Sequence, residues 1–336
     1  VRKRTVLVAL AVGFALLVGT VALGTTNPEY VPIEHQQYVL QDNVEDSLFI
    51  FVLSMRNLEF FEVHVEAFEM AGKLLGVQTR VMGPAEFDTD AQISAFMTAI
   101  ALEPDGIITY PPGPELGPVI DEATRAGIPV VTVTGDVPES SRIAFVGIDQ
   151  YEVGVIGGEF LAEVLGGVGK VGVLSITMPM FQLREDGYRD TLAEYPGIEI
   201  VATGDTQADF PTGITVAKSI LEAHPDLDAF VCVDSVGAMS AVIAIREAGL
   251  TGKVQVMGMD RNNDVVEHVR DGYILASVAQ KSHLHTYYAM MILYNLKHNP
   301  MPITTDNIAA GVTAAPTWIN PGLELVTPDN WQYWVR

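Results

Sequence analysis

Asn57, Tyr110, Asp136, Asp234 and Asp260 each follow an apolar, strand-like run of this chain. Brought to one edge, such groups can hold a ligand rich in hydroxyls, with amide and phenol donating and carboxylates accepting. A single Asp at a strand-to-helix junction reads as an ordinary helix cap; the recurrence at successive junctions points instead to a shared edge. Phe60, Phe61 and Phe210 add flat apolar faces. Sugar rings have the matching duality, with C–H faces that pack on aromatic rings and hydroxyls that donate and accept.

Other chemistries fit less well. The string "GVGKVG" (167–172) has the spacing of a dinucleotide-binding glycine loop, but a helix precedes it and a strand follows, the reverse of what seats a phosphate on a helix N-terminus. It reads as a helix stop and a turn. "DSVGA" (234–238) sets Ser235 at a strand-to-helix elbow, yet Val233 stands where a nucleophile elbow needs glycine, so Ser235 reads as a helix N-cap. His283 and His285 are two apart and diverge on a helix, while "DRNND" (260–264) opens like a calcium loop but carries Val265 at the glycine position. Capping of the next helix by Asn262 is the simpler reading. No catalytic residue, metal site or cofactor is expected, and an enzyme is not favoured.

Short Val/Ile-rich runs must position these groups: 48–54, 77–82, 106–110, 128–134, 170–176, 198–203, 229–233, 254–258 and 273–278. Between them lie helical patterns, such as 58–76 with Phe61, Val65, Phe68 and Leu75 on one face. Strand alternating with helix predicts an α/β chain of parallel sheets covered on both faces. The rhythm breaks at 142–154, which predicts a boundary between two Rossmann-like lobes. In such sheets ligands bind beyond the carboxyl ends of the strands.

The net charge of -23 repels phosphate backbones and anionic lipid, which excludes nucleic acid as a partner and suits a neutral, polar small molecule. Residues 1–24 place Arg2, Lys3 and Arg4 before a long uncharged stretch ending in Ala22 and Gly24, the pattern of a signal peptide; an uncleaved membrane anchor is the alternative. Residues 25–46, with Pro28 and Pro32, read as a linker. Cys232 lies within an apolar run and reads as a core residue.

From about residue 48 to about 298 the sequence resembles the ribose-type periplasmic sugar-binding proteins, the solute receptors of ABC importers. The likeness rests on landmarks in order: "FVLSMRNLEFFEVHVEAFEMAGKLLG", "EPDGIITYPP", "AGIPVVTVTGD", "FVGIDQYEVGVIGGEFLAE", "LREDGYRD", "VQVMGMDRNND" and "DGYILASVAQ". It implies a type I periplasmic binding protein fold, with two lobes joined by a three-crossover hinge. The expected lobes are 47–148 plus 281–311 and 149–280 plus 312–336. By the same resemblance Phe60 and Phe61 match the first lobe's aromatics and Phe210 the second lobe's. Arg184 matches an arginine that bonds sugar oxygens, Asp234 and Asp260 match polar positions after their strands, and Gln280 matches a glutamine at the hinge side.

The chain departs from the ribose pattern at Tyr110, where the family has Asn, and at Thr134 and Gly135, where it has an Asp-Arg pair with Asp136 arriving one step late. Another pentose, a hexose or a polyol is therefore expected. The resemblance implies an exported, monomeric, non-enzymatic receptor that delivers a neutral monosaccharide or polyol to an ABC permease. A membrane-anchored sugar-sensing ectodomain is the alternative. Trp318, in the C-terminal extension, is a further candidate for the cleft.

Overall fold

The computed structural model describes residues 43–299, 301–307 and 309–335. The expected signal or anchor (1–24) and nearly all of the expected linker (25–46) lie outside them.

The first sheet begins with β1 (Leu48–Val52), β2 (Gln78–Met82), β3 (Gly106–Thr109), β4 (Val130–Val133) and β5 (Ala144–Val146). It is closed at one edge by β11 (Trp318–Ile319), in the order β11-β5-β4-β3-β1-β2, with every pairing parallel. Its helices are α1 (Glu59–Leu75), α2 (Thr89–Ala101), α3 (Gly117–Arg125) and the returning α9 (Ser282–His298). Alternation along β1 sends Phe49, Phe51 and Leu53 into a core with α1 and α9, and Ile50 and Val52 into a core with α2 and α3. All five of these side chains are fully buried, which explains why the strand reads as one continuous apolar run.

The second sheet repeats the plan with β6 (Val168–Ser175), β7 (Gly197–Asp205), β8 (Ala229–Cys232), β9 (Gln255–Met259) and β10 (Ala276–Gln280). Its order is β12-β10-β9-β8-β6-β7, and only β12 (Leu323–Val326) runs antiparallel. The covering helices are α4 (Gln150–Val164), α5 (Pro179–Ala193), α6 (Phe210–Ala223), α7 (Ser235–Glu247) and α8 (Asn263–Arg270). Cys232 is a fully buried core residue, as its apolar run suggests. Gly166 and Gly167, with φ of 65 and 76°, stop α4 ahead of β6, so the "GVGKVG" glycines make a turn.

Among the described residues the chain passes between the sheets three times, at 147–149, at Lys281 and at 320–322. The third passage differs from expectation. Trp318–Ile319 pairs with Phe145–Val146 in the first sheet, so the tail divides near Asn320 and not at 311. The strand is too short to announce itself by periodicity.

Candidate ligand-binding cleft

Arg184 lies in α5, where "LREDG" brings it against the carboxyl end of β8. Its Nη1 donates to the Val233 carbonyl at 2.7 Å, and its Nε donates to Gln150 Oε1 at 2.8 Å. Its guanidinium stands over the Phe181 ring, 5.0 Å from the centroid. The side chain is buried, which lowers its affinity for the proton, while Asp260 and Asp234 offset that cost. It remains a cation in any case.

The helix packing that delivers Arg184 depends on glycine. A Cβ on Gly154 of α4 would lie 2.2 Å from the Arg184 carbonyl oxygen, and one on Gly187 of α5 would lie 2.1 Å from the Tyr151 carbonyl oxygen. Only bare backbones allow so close an approach.

Asp234 caps α7, its Oδ1 accepting from the Gly237 N–H at 2.9 Å. This corrects the expectation for Ser235, which is the first helical residue after that cap. Burial raises the Asp234 pKa to about 6, with the neighbouring Asp260 adding to the effect and the Gly237 N–H and Arg184 opposing it. Asp260 is pushed up as well, again by burial, against Arg184 and Gln280. Its backbone sits in the left-handed region at φ 74°, and Gln280 Nε2 donates to its Oδ1 at 3.3 Å. Asn262 stands at the cap of α8 as expected by position, but makes no side-chain capping bond.

Several buried polar atoms at strand ends have no hydrogen-bond partner: Ser54 Oγ just past β1, Ser175 Oγ at the end of β6 and Gln280 Oε1, beside Asp260, at the end of β10. All three lie at carboxyl ends of strands, on both sheets. Buried groups of this kind normally find partners.

From the first lobe, Phe60 and Phe61 of α1 pack edge to face with centroids 5.2 Å apart, and Phe61 meets Tyr110 at 4.9 Å. Phe61 is only 3% exposed and belongs to the core, so it supports Phe60 and Tyr110 from behind. Burial raises the Tyr110 pKa, and Arg184 and Asp260 act on the same phenol from the facing lobe. Tyr110, Arg184, Asp234, Asp260 and Gln280 thus form one neighbourhood. A direct bond also crosses between the lobes, from the Asn263 N–H to Glu59 Oε1 at 3.2 Å.

The other expected residues have different surroundings. Asn57 is exposed and donates to Glu86 Oε1 at 3.2 Å. Phe210 opens α6 at 39% exposure. Asp136 is held by Arg142, by the Thr132 hydroxyl at 2.8 Å and by the Val137 N–H at 2.8 Å. It lines a hollow of about 560 Å³ between the lobes, shared with Tyr110, Gln150 and Trp318. A larger groove, about 860 Å³, runs past Asp105, Ile128 and Ile143 at the amino ends of the first sheet's strands. Strand-end chemistry places no ligand there.

Sequence reasoning missed Gln150, which holds Arg184, and a buried relay at the hinge. His64 Nδ1 donates to the Phe60 carbonyl at 3.0 Å, so its Nε2 must accept from Thr134 Oγ1, also at 3.0 Å. The one hydroxyl proton is then spent, and His285 Nδ1 must donate to Thr134 Oγ1 at 2.8 Å. Burial drives the His64 pKa down to about 3 and that of His285 well below its usual value, so both rings are neutral. Thr134 adopts φ 66°, an uncommon conformation for a β-branched residue. No group of His, Cys, Asp and Glu among the described residues could hold a metal ion.

Comparison with known proteins bears on the fold and the family. The family described as periplasmic binding protein domain matches residues 49–299. A D-ribose/D-allose-binding protein of Pseudomonas aeruginosa is 31% identical over 204 residues, covering 58% of this chain and 64% of its own length. The ribose import binding protein RbsB of Bacillus subtilis is 25% identical over 233 residues, 69% of this chain and 75% of its own. Among solved structures, a sugar-binding protein of a sugar ABC transporter from Bacillus halodurans superposes with a TM-score of 0.79 at 28% identity, over 86% of this chain and 100% of its own. The arabinose-binding protein AraP of Geobacillus stearothermophilus shares the fold, with a TM-score of 0.80 at 24% identity, over 87% of this chain and 100% of its own. Two parallel-sheet lobes, a hinge of three strands of chain and a match over most of the sequence place this chain in the periplasmic binding protein family, with the type I fold.

Proposed function

We propose that the protein captures a neutral monosaccharide or polyol between its lobes, outside the cytoplasm, and presents it to the permease of an ABC importer. The carrying observation is the buried polar neighbourhood of a cation and two carboxylates beside the unpartnered Gln280 Oε1, together with unpartnered Ser54 and Ser175 hydroxyls at strand ends of the two sheets. A hydroxyl-rich ligand can donate to the carboxylates and the amide oxygen, and accept from Arg184 and the serines. Phe60 and Tyr110 offer it apolar faces, and Arg184, Asp234, Asp260 and Gln280 its polar contacts. The curated relatives quoted above are sugar-binding proteins by name, which supports the same reading.

Binding is a closure step. Groups from one lobe alone engage only part of the ligand, so a ligand touching both shifts the population toward the closed arrangement by its differential affinity. The protein acts as a monomer, without catalysis and without nucleic acid. The sensing-ectodomain alternative draws no support from these relatives, and the segment that would anchor it lies outside the described residues. A thermal-shift screen against pentoses, hexoses and polyols tests the proposal. A ligand at 100 times its Kd adds about 2.7 kcal/mol of apparent stability; a flat response across the panel would refute the reading.

A further inference from the structure

We propose that the hollow bounded by Tyr110, Met178, Met180, Leu183 and Trp318 is a second subsite, built for an apolar aglycone, so that the preferred ligand is an alkyl or aryl glycoside and not a free sugar. This inference rests on the sugar-receptor reading and adds to it.

The hollow adjoins the polar neighbourhood through two shared walls. Gln150 lines it while holding Arg184 Nε, and Tyr110 lines it while facing Arg184 and Asp260. At about 560 Å³ it falls within the roughly 300–1,000 Å³ of pockets that take drug-sized ligands, more room than one sugar ring fills.

Three of its polar side chains are already committed to protein partners, which leaves the Tyr110 hydroxyl, on the wall shared with the polar neighbourhood, to meet a ligand. Asp136 is held by Arg142, Thr132 and Val137; Asp149 accepts from the Tyr151 N–H at 3.0 Å; Trp318 Nε1 donates to the Gly147 carbonyl at 2.8 Å. A second hydroxyl-bearing ring entering here would shed water and find few new partners. Apolar surface, by contrast, is in excess. Met178 is 37% exposed, Leu183 48% and Trp318 48%, and all three border this one hollow. Their side chains would gain by being covered. Methionine adapts to irregular shapes, and tryptophan offers a flat face for a ring. Prolines at 111, 112 and 114 hold the opposite wall in a limited set of backbone conformations, which reduces the ordering cost of binding.

The test is calorimetric titration of the full chain with D-ribose, D-allose, L-arabinose, D-xylose, D-glucose and D-galactose, and with the methyl and 4-nitrophenyl glycosides of each in both anomers. For the recognised sugar, one 4-nitrophenyl anomer should bind roughly tenfold tighter than its methyl counterpart. Leu183→Ser should remove most of that gain while leaving affinity for the free sugar unchanged, and Trp318→Ala should remove the gain whatever its effect on the free sugar. Leu183 is an exposed helix residue, so its substitution keeps the test readable if Trp318→Ala folds poorly. Free sugar binding with no 4-nitrophenyl gain in either anomer overturns the subsite alone, as does a gain that survives both substitutions. No binding by any free sugar or glycoside overturns the sugar-receptor reading as well.

Discussion

Arg184 and Asp234 meet at one turn of chain: the arginine's Nη1 donates to the carbonyl of Val233, and the next residue's carboxylate caps the following helix. The same junction therefore fixes a cation and an acid at the edge of the second lobe. Removing the cation has two consequences. Arg184→Met leaves the Val233 carbonyl and Gln150 amide oxygen without their donor, at a cost of about 1–3 kcal/mol each for such buried groups. It also strips the Asp234 and Asp260 carboxylates of the charge that opposes their neutralisation. Denaturant titration should show a less stable free protein, and calorimetry should show sugar affinity reduced by about one to two decades. A variant that binds like the parent would contradict the role given to Arg184.

The pKa of Asp234, raised to about 6, makes a signed prediction. Between the unfolded carboxylate value, about 3.9, and the folded value, the native state holds a proton that the unfolded chain has released. Stability from this group is complete at low pH and is lost as pH rises through about 6. Asp234→Asn keeps a capping side chain and removes the titration. The variant's stability relative to the parent should therefore rise between pH 4 and pH 7, by an amount on the order of 2–3 kcal/mol. Parallel stability curves for the two proteins would contradict it.

The histidines act in the opposite sense. His64, lowered to about 3, and His285 are buried neutral, so their stability is present above the ordinary value near 6.5 and is lost as pH falls below it. Thr134→Val deletes the hydroxyl that joins them and leaves a buried acceptor on His64 and a buried donor on His285. A loss of about 2–4 kcal/mol in denaturant unfolding is expected from two such orphaned groups. Thr134→Gly loses the same bonds but relieves the φ of 66°, so it should be less damaging than valine.

Gly154→Ala tests how packing places the site. The added methyl would sit 2.2 Å from the Arg184 carbonyl oxygen and 2.3 Å from the Tyr188 nitrogen, so α5 must shift outward. Such overpacking costs about 1–3 kcal/mol. Because α5 carries Arg184, sugar affinity should fall together with stability, unlike the loss from an exposed contact. Glu59→Ala supplies the contrast: its bond to the Asn263 N–H is exposed, and affinity should change by no more than about threefold.

Much of this was written in the chain. Strand alternation with helix foretold both lobes, because each parallel strand is buried on two faces and reads as an unbroken apolar run, as in Phe49 to Leu53. Junction residues such as Asp234 and Asp260 were visible for the same reason: a strand's end is sharp in sequence. Features that depend on distant packing were not. Phe60 and Phe61 look equivalent in sequence, yet helix periodicity leaves one partly buried at the margin of the core and sinks the other into it. Gln150 is one polar residue among many until α4 lies against α5. The His64–Thr134–His285 relay joins positions separated by 151 residues at its longer step, which no local pattern reports. Trp318 joins the first sheet through a strand of two residues, below the length at which alternation can be read.

The central claim is that the two lobes close on a sugar through the Arg184 neighbourhood. Isothermal titration of the parent and Arg184→Met proteins with the sugar found by thermal shift tests it most directly. The expected result is one saturable site per chain in the parent, and affinity at least about tenfold weaker in the variant. Equal affinities in the two proteins, or no saturable binding by the parent, would contradict it.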